Sequence, residues 1–577
     1  MPRNIHLLSL ILLGMQAGAS AQPRDTDRST PPSLMPGASS QGLTLLASHS
    51  GAALNSNLLS GGGIDDTGSL QRVLDQAKDG RPVHLIIDGP ALVRGLDVYG
   101  NTTIECIEGG GLYLKPNSSR AIIRNSHRSR TTISDEHITI RGCFLNGDHD
   151  HQPGSSGTPA NQEADGTFIT GLQFLGVNDL TIEDTTLWNC RAFGAWISNA
   201  DRITIRNVLV DHGGPLDIDM HYANTDGLHF TGPVRYLTID DVKLRTGDDG
   251  LAFNANDSAA DDMTVHNDMG PYVGQGPITD VAVNNVVLID AANAIRFLSS
   301  NERIDRIVIS NVTGTLNGNA FATISHYMSP SLGNIGSILL DNIAVHPSDH
   351  DPKISLEWSA IVKGANKAVN DEFNGGVSDF ISVNARVENL VLRNFSTKVT
   401  DARPIIRIGP DADVGQMTVA LNLLDDDLRG VPLELDAGGR IKQLNMSLNW
   451  KGKTIDQGKN AIVSLGGLIE QLHWVSTPPT YVVAELSDGN AVTVTFSENI
   501  KATDAKAGVR ILVNDRTAEI AHTFSDPGHP NLLHFVLKNS VRPGDTVTWA
   551  YDAATGSIQN WSGDQLLSVT RKAIANR

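Results

Sequence analysis

Short apolar stretches that alternate with polar residues, each closed by an Asn, Asp or Gly corner, recur through most of the chain. The frame appears as Ile138-Thr139-Ile140-Arg141-Gly142-Cys143 and returns from Leu180, Ile203, Leu237, Val281, Ile307, Ile338 and Leu390. Successive starts are 42, 23, 34, 44, 26, 31 and 52 residues apart. The shortest intervals set a coil of 23 to 26 residues, and the longer ones carry an insertion or a second coil. Period-two alternation marks strands, and short strands with polar corners at such a repeat stack into a solenoid in which each coil packs only on its neighbours. Asn and Asp suit the corners because they tolerate the left-handed backbone angles of a sharp bend. The Leu-x-x-Leu-x-Leu spacing of a leucine-rich repeat is absent. The expected fold is therefore all-β: a right-handed parallel β-helix spanning residues 61–475, with weaker echoes at Met417-Thr418-Val419 and Leu444-Asn445-Met446 before Pro478-Pro479 interrupts the pattern.

The last hundred or so residues, 478–577, change character. Runs such as Val492 to Ser497, Val509 to Val513, Leu533 to Leu537 and Val547 to Tyr551 are β-branched and aromatic-rich, and polar turns separate them, which predicts a small C-terminal β-sandwich of immunoglobulin-like size. It resembles the sandwich modules appended to bacterial secreted carbohydrate enzymes. Nothing in it looks catalytic. Ahead of the solenoid, Gly63 to Gly68 opens a helix with Leu70, Val73, Leu74 and Ala77 at helical spacing, placed to cap the end of the coils.

The N-terminus alters the setting of this architecture. Arg3, the apolar run Leu7 to Leu13 broken by Ser9, and Ala19-Ser20-Ala21 make residues 1–21 a signal peptide, so the protein is expected to be secreted or periplasmic. Residues 22–60, rich in Ser, Pro and Gly, read as a flexible linker. No later stretch approaches the length of a transmembrane helix, so no membrane insertion is expected. The formal net charge of -19 disfavours nucleic acid as a partner. Of the three cysteines, Cys106, Cys143 and Cys190, at most one pair can close, and their apolar contexts favour buried free thiols in the core.

Candidate chemistry lies in two segments one coil apart. Asp226 in Asn224-Thr225-Asp226-Gly227 precedes Asp248 and Asp249 in Gly247-Asp248-Asp249-Gly250 by 22 and 23 residues. Because one coil translates into one strand spacing of about 4.8 Å, Asp226 and one or both later aspartates should project side by side from one outer face. Carboxylates that close raise the proton affinity of at least one member, which supplies both the proton donor and the ionised partner that glycoside hydrolysis requires. As plain polar corners, like Asp240-Asp241, they would need no such company; they lie off the corner frame, and each group is followed by Gly.

The solenoid pattern with these two motifs resembles the polygalacturonase-type glycoside hydrolases of family 28. The resemblance, covering roughly Gly61 to Ser300, implies Asp248 as general acid, Asp226 and Asp249 as the groups that position and activate water, and inversion at the anomeric carbon. The expected function is hydrolysis of a pectic, galacturonan-like or other acidic polysaccharide, and the chain is expected to act as a monomer without metal or organic cofactor. Two family signatures differ. Where a Gly-His-Gly is expected stands Gly274-Gln275-Gly276, with His266 in another context, and the Arg-Ile-Lys signature survives only as the arginine of Ala294-Ile295-Arg296-Phe297-Leu298. Arg296, His229 and Asn224 are the candidate substrate-binding residues. Trp188 and Trp196 are either sugar platforms or, more simply, core residues, and His326-Tyr327 is a weaker candidate for the cleft. One-coil separation sits nearer the retaining than the inverting carboxylate distance. A lyase or epimerase on the same solenoid, and a tailspike- or adhesin-like binder, are the rival functions.

Overall fold

The computed structural model describes residues 42–576, apart from 154–162, 213–224, 257–269, 317–319, 327–329, 349–379, 399–402, 424–429, 451–460, 475–478, 488, 498–499, 503, 527–528 and 561–563. The signal-peptide expectation for residues 1–21 lies outside these residues, as do Asn224, His266 and Tyr327.

The first position of the repeated frame stacks coil upon coil in strict register. Ile138 pairs with Leu180, then Ile203, Leu237, Val281, Ile307, Ile338 and Leu390 follow, and the ladder continues through Met417 and Leu444 to Leu472. Every strand pairing in this sheet is parallel, from Leu43–Leu46 to Leu468–Trp474, which is the right-handed parallel β-helix expected from the repeat. The corner residues Asp184, Asn207, Asp241, Asn285, Asn311, Asn342 and Asn394 all take the left-handed conformation, with φ between 50° and 57°. The bend that ends each strand therefore needs the residue types that tolerate it, which is why Asn and Asp recur there.

Inside the coils the aliphatic rows close into one continuous core, with an aromatic stack of Phe230, Phe253 and Phe297 at centroid spacings of 5.5 and 5.4 Å. The helix Thr67–Leu74 and the short 3-10 turn Asp75–Ala77 bury Leu70, Val73, Leu74 and Ala77 in that core beside the first coils, so the expected capping helix is present. The strand Leu43–Leu46 pairs with Val83–Ile86. The solenoid thus begins inside the stretch read as linker 22–60; four residues of Leu-Thr-Leu-Leu are too short to register as a pattern.

One cysteine expectation is corrected: Cys106 and Cys143 form a disulfide, and only Cys190 is a free, buried thiol. The pairing of Ile104 with Ile140 sets the two corners on adjacent coils, with Cα atoms 4.8 Å apart, a relation that their separation of 37 residues does not reveal. After the solenoid come small antiparallel sheets that share a second core around Trp549, Phe496 and Phe535. Among the described residues no helix is long and apolar enough to cross a membrane.

Candidate active site

Leu172, Ala195, Leu228 and Leu251 stack in register on successive coils, and each follows a glycine. Gly194 donates its N–H to the carbonyl of Asp226, and Gly227 donates to that of Asp249, each at 2.8 Å. A Cβ on Gly227 would lie 2.5 Å from the Gly250 carbonyl oxygen and one on Gly250 2.9 Å from that of Ala294, so neighbouring backbones leave room only for glycine. This close approach is the reason both aspartate groups are followed by Gly. It also sets Asp226, Asp249 and Asn293 in one row across three coils.

The row brings the three aspartates together. Asp226, Asp248 and Asp249 each present a carboxylate oxygen within 4.8 Å of the others. Asp226 and Asp249 are buried, and Asp248 is half-exposed. Asp249 Oδ1 accepts from Asn293 Nδ2 at 2.8 Å, and Arg296 Nη1 stands 3.7 Å from its other oxygen. Burial, above all, pushes the Asp249 carboxyl up to about 6; the Asp226 charge adds to this, and the Arg296 guanidinium opposes it. Proton affinity in this range keeps the cluster able to hold a proton under mildly acidic conditions.

His229 fills the space behind Asp226. Its Nδ1 donates to Asp226 Oδ2 at 2.6 Å, its ring stacks on Phe193 with centroids 4.1 Å apart, and the amide of Asn254 lies 3.5 Å from Nε2. Only 3% of His229 is exposed. Beneath, His212 lies 2.9 Å from the Asp226 carbonyl and 3.2 Å from that of Cys190, and burial lowers its proton affinity, so the neutral ring donates to one carbonyl at a time. Asp226 Oδ1, by contrast, is buried and has no hydrogen-bond partner among the described residues. Three oxygens at this separation are also a set that a hard cation can bridge. The nearby Arg296 and His229 already supply positive or hydrogen-bonding partners to two of the three carboxylates.

Three residues after the aspartate row runs a second outward row. Gln173, Trp196, His229, Ala252 and Arg296 pair in turn, and Thr323, Ser382 and Arg407 continue it. Arg296 is thus beside the aspartates, while Leu298, where the family signature has lysine, is buried. Trp196 is buried and donates to Thr231 Oγ1 at 3.0 Å; Trp188 is half-exposed and stacks on Phe144. Gln275 accepts from Asn256 at 3.1 Å, away from the aspartate row. His326 pairs with Asp411 at 3.1 Å several coils on.

Sequence reasoning missed Asn293, Asn254 and Phe193. A signal for Asn293 exists: it stands three residues before Arg296, as Asp226 stands three before His229, so the two triplets occupy the same positions in their coils. Phe193 has no such signal, because only the packing of a neighbouring coil brings it under the imidazole.

Comparison with known proteins agrees with the resemblance seen in the sequence. Residues 114–313 match the model of the glycosyl hydrolases family 28, a span that contains the aspartates, His229 and Arg296. No curated protein matches the chain. Among solved structures, the family 28 exopolygalacturonase of Yersinia enterocolitica is 11% identical, with 75% of this chain and 78% of that chain covered and a TM-score of 0.40. The hyperthermoactive exopolygalacturonase of Thermotoga maritima is 12% identical, covering 75% and 92%, with a TM-score of 0.35. A surface adhesin of Streptococcus pneumoniae is 11% identical, covering 79% and 98%, with a TM-score of 0.33.

Proposed function

We propose that this chain, which carries a polygalacturonase-like glycoside hydrolase segment of family 28, is an exported enzyme that hydrolyses an acidic polysaccharide by acid/base catalysis. The observation that carries the proposal is the meeting of three carboxylates from two adjacent coil turns inside the matched segment. Asp248, the half-exposed member, is the general acid that protonates the leaving oxygen. Asp226 and Asp249 hold and activate the water, with inversion the stereochemical outcome. His229 orients the Asp226 carboxylate toward the water through its 2.6 Å bond. Arg296, half-exposed beside the aspartates, is the contact for a substrate carboxylate; Asn224 completes the substrate-binding set. With Leu298 buried in place of the family lysine, the uronate contact rests on a single guanidinium, which favours an acidic glycan other than unmodified polygalacturonate as the best substrate.

The test uses the full chain and its Asp248→Asn variant on a panel of polysaccharides that includes polygalacturonate, with and without a chelator. Reducing ends that appear without ultraviolet absorbance, vanish in the variant and ignore the chelator support hydrolysis. Unsaturated, chelator-sensitive products would replace it with elimination at a cation held by the same carboxylates.

A further inference from the structure

The outward face of the sheet is not equally open on the two sides of the aspartates. Toward the N-terminal coils, Gln173, Leu175 and Trp196 point away from the solenoid core, yet all three have 0% exposure. They lie under a separate apolar cluster formed with Phe168, Phe193 and Val273, against which Tyr272 packs. The rings of Phe168, Phe193 and Trp196 meet one another at centroid distances of 5.6 to 5.9 Å.

This cluster is built onto the scaffold. Arg128 donates to Asp165 at 2.6 Å and to Gln173 at 2.8 Å, and its guanidinium stacks 4.4 Å from the Tyr272 ring centroid. Glu163 accepts from the Ala121 N–H at 2.8 Å and pairs with Arg124. A Cβ on Gly270 would stand 2.9 Å from the Gly166 carbonyl oxygen, so the two loops that carry Phe168 and Tyr272 touch. The wall ends against the site itself, since Phe193 stacks on His229. Trp196 and His229 pair directly, so the wall begins about one strand spacing, roughly 4.8 Å, from the coil that carries Asp226.

Toward the C-terminal coils the same outward row reads Arg296, Thr323, Ser382 and Arg407, and all four are half-exposed. Among the described residues, a polymer laid along the solenoid axis therefore meets half-exposed polar side chains on one side of the aspartates and packed aromatic side chains on the other.

We propose that the enzyme acts on chain ends: the polysaccharide enters along the Arg296, Thr323, Ser382 row and stops at the wall of Phe168, Phe193 and Trp196, so each cut releases a short saccharide. This rests on the reading of the site as glycan-cleaving, and it holds for hydrolysis or elimination alike. A buried aromatic wall, tied down by Arg128, is a fixed determinant of product length.

The experiment follows the viscosity of the polymer cleaved best in the panel, together with new chain ends and product sizes, using the full chain. The expected result is a near-constant viscosity while ends accumulate, with one short product size from the earliest time point. A collapse of viscosity ahead of the ends, with a ladder of long oligomers, would overturn the proposal. The variant Phe168→Ala/Tyr272→Ala, checked for a cooperative melting transition, should lengthen the first products; Tyr272→Ala alone, at the half-buried rim, keeps the test available should the double variant not fold. Unchanged product lengths in a folded variant also defeat it. Saturated or unsaturated ends are read from the same samples, so the chemistry and the mode of attack fail separately, and no cleavage of any polymer overturns the reading on which both rest.

Discussion

Two rows of acidic and amide side chains run along this solenoid at one-coil spacing, and their physical states are opposite. In the corner row, Asp240 accepts from Asn284 and Asn285 at 3.1 and 2.9 Å, Asn284 accepts from Asn311 at 2.7 Å, and Asp341 accepts from Asn394 at 2.8 Å. Each oxygen there faces an N–H near solvent. In the site row, Asp249 stands beside Asp226 with Asp248 next to both, carboxylate against carboxylate, and two of the three are buried. The same residue types at the same spacing thus make an ordinary ladder in one place and a proton-holding cluster in the other. What separates them is the identity of the neighbour one coil away and whether water reaches it.

The sharpest way to break that comparison is to neutralise one acid in each row. Asp248→Asn should lower kcat by roughly 10²- to 10⁴-fold, the usual contribution of a positioned general acid, whereas Asp240→Asn in the corner row should leave turnover unchanged. Initial rates of reducing-end release decide it; similar losses in both variants would mean that the site row has no special standing.

A second difference should appear in stability. The folded Asp249 carboxyl binds its proton more tightly than a free aspartate, whose ordinary value is 3.8, and is pushed up to about 6. A raised value contributes stability that is present below pH 4 and lost as pH rises through 6, because the native state must then ionise a buried acid. The 2-unit gap corresponds to a ceiling of about 3 kcal/mol. Asp249→Asn should therefore gain on the wild type between pH 4 and pH 8 in urea unfolding, while a gap between the two proteins that stays constant with pH would show that Asp249 titrates as an ordinary surface acid.

The smallest effect belongs to the ladder. Asn311 combines a left-handed backbone, φ 57°, with a donated bond to Asn284 and an accepted one from Asn342. Asn311→Ala should cost about 1–2 kcal/mol through both terms, and Asn311→Gly less, since glycine keeps the conformation and loses only the bonds. Thermal melts of the two variants would separate backbone from side chain, and equal losses would assign the whole effect to the ladder.

The contrast between the rows also marks how far the sequence is legible. The repeat from Ile138 to Leu390 carried the fold, because in a solenoid each residue of the frame meets its own equivalent one coil away, so a local pattern is at once a list of tertiary contacts. The same logic placed Asp226 beside Asp249. It did not reach Cys106 with Cys143, whose intervening segment hides the one-coil relation, nor the strand Leu43–Leu46, which is too short to show a period. Asn293, Phe193 and the wall around Trp196 were also beyond it.

The amino-acid sequence by itself determined the coil, its register, its left-handed corners and the gathering of three aspartates, since all of these follow from residue type and from spacing along the chain. Only the tertiary structure decided that Asp226 and Asp249 are buried while Asp248 is not, that His229 is held against Asp226 by Phe193, and that Phe168 and Tyr272 fold over one half of the outward face. Burial and proton affinity depend on everything that surrounds a group, and the loops that supply those surroundings lie outside the repeat and follow no period of their own.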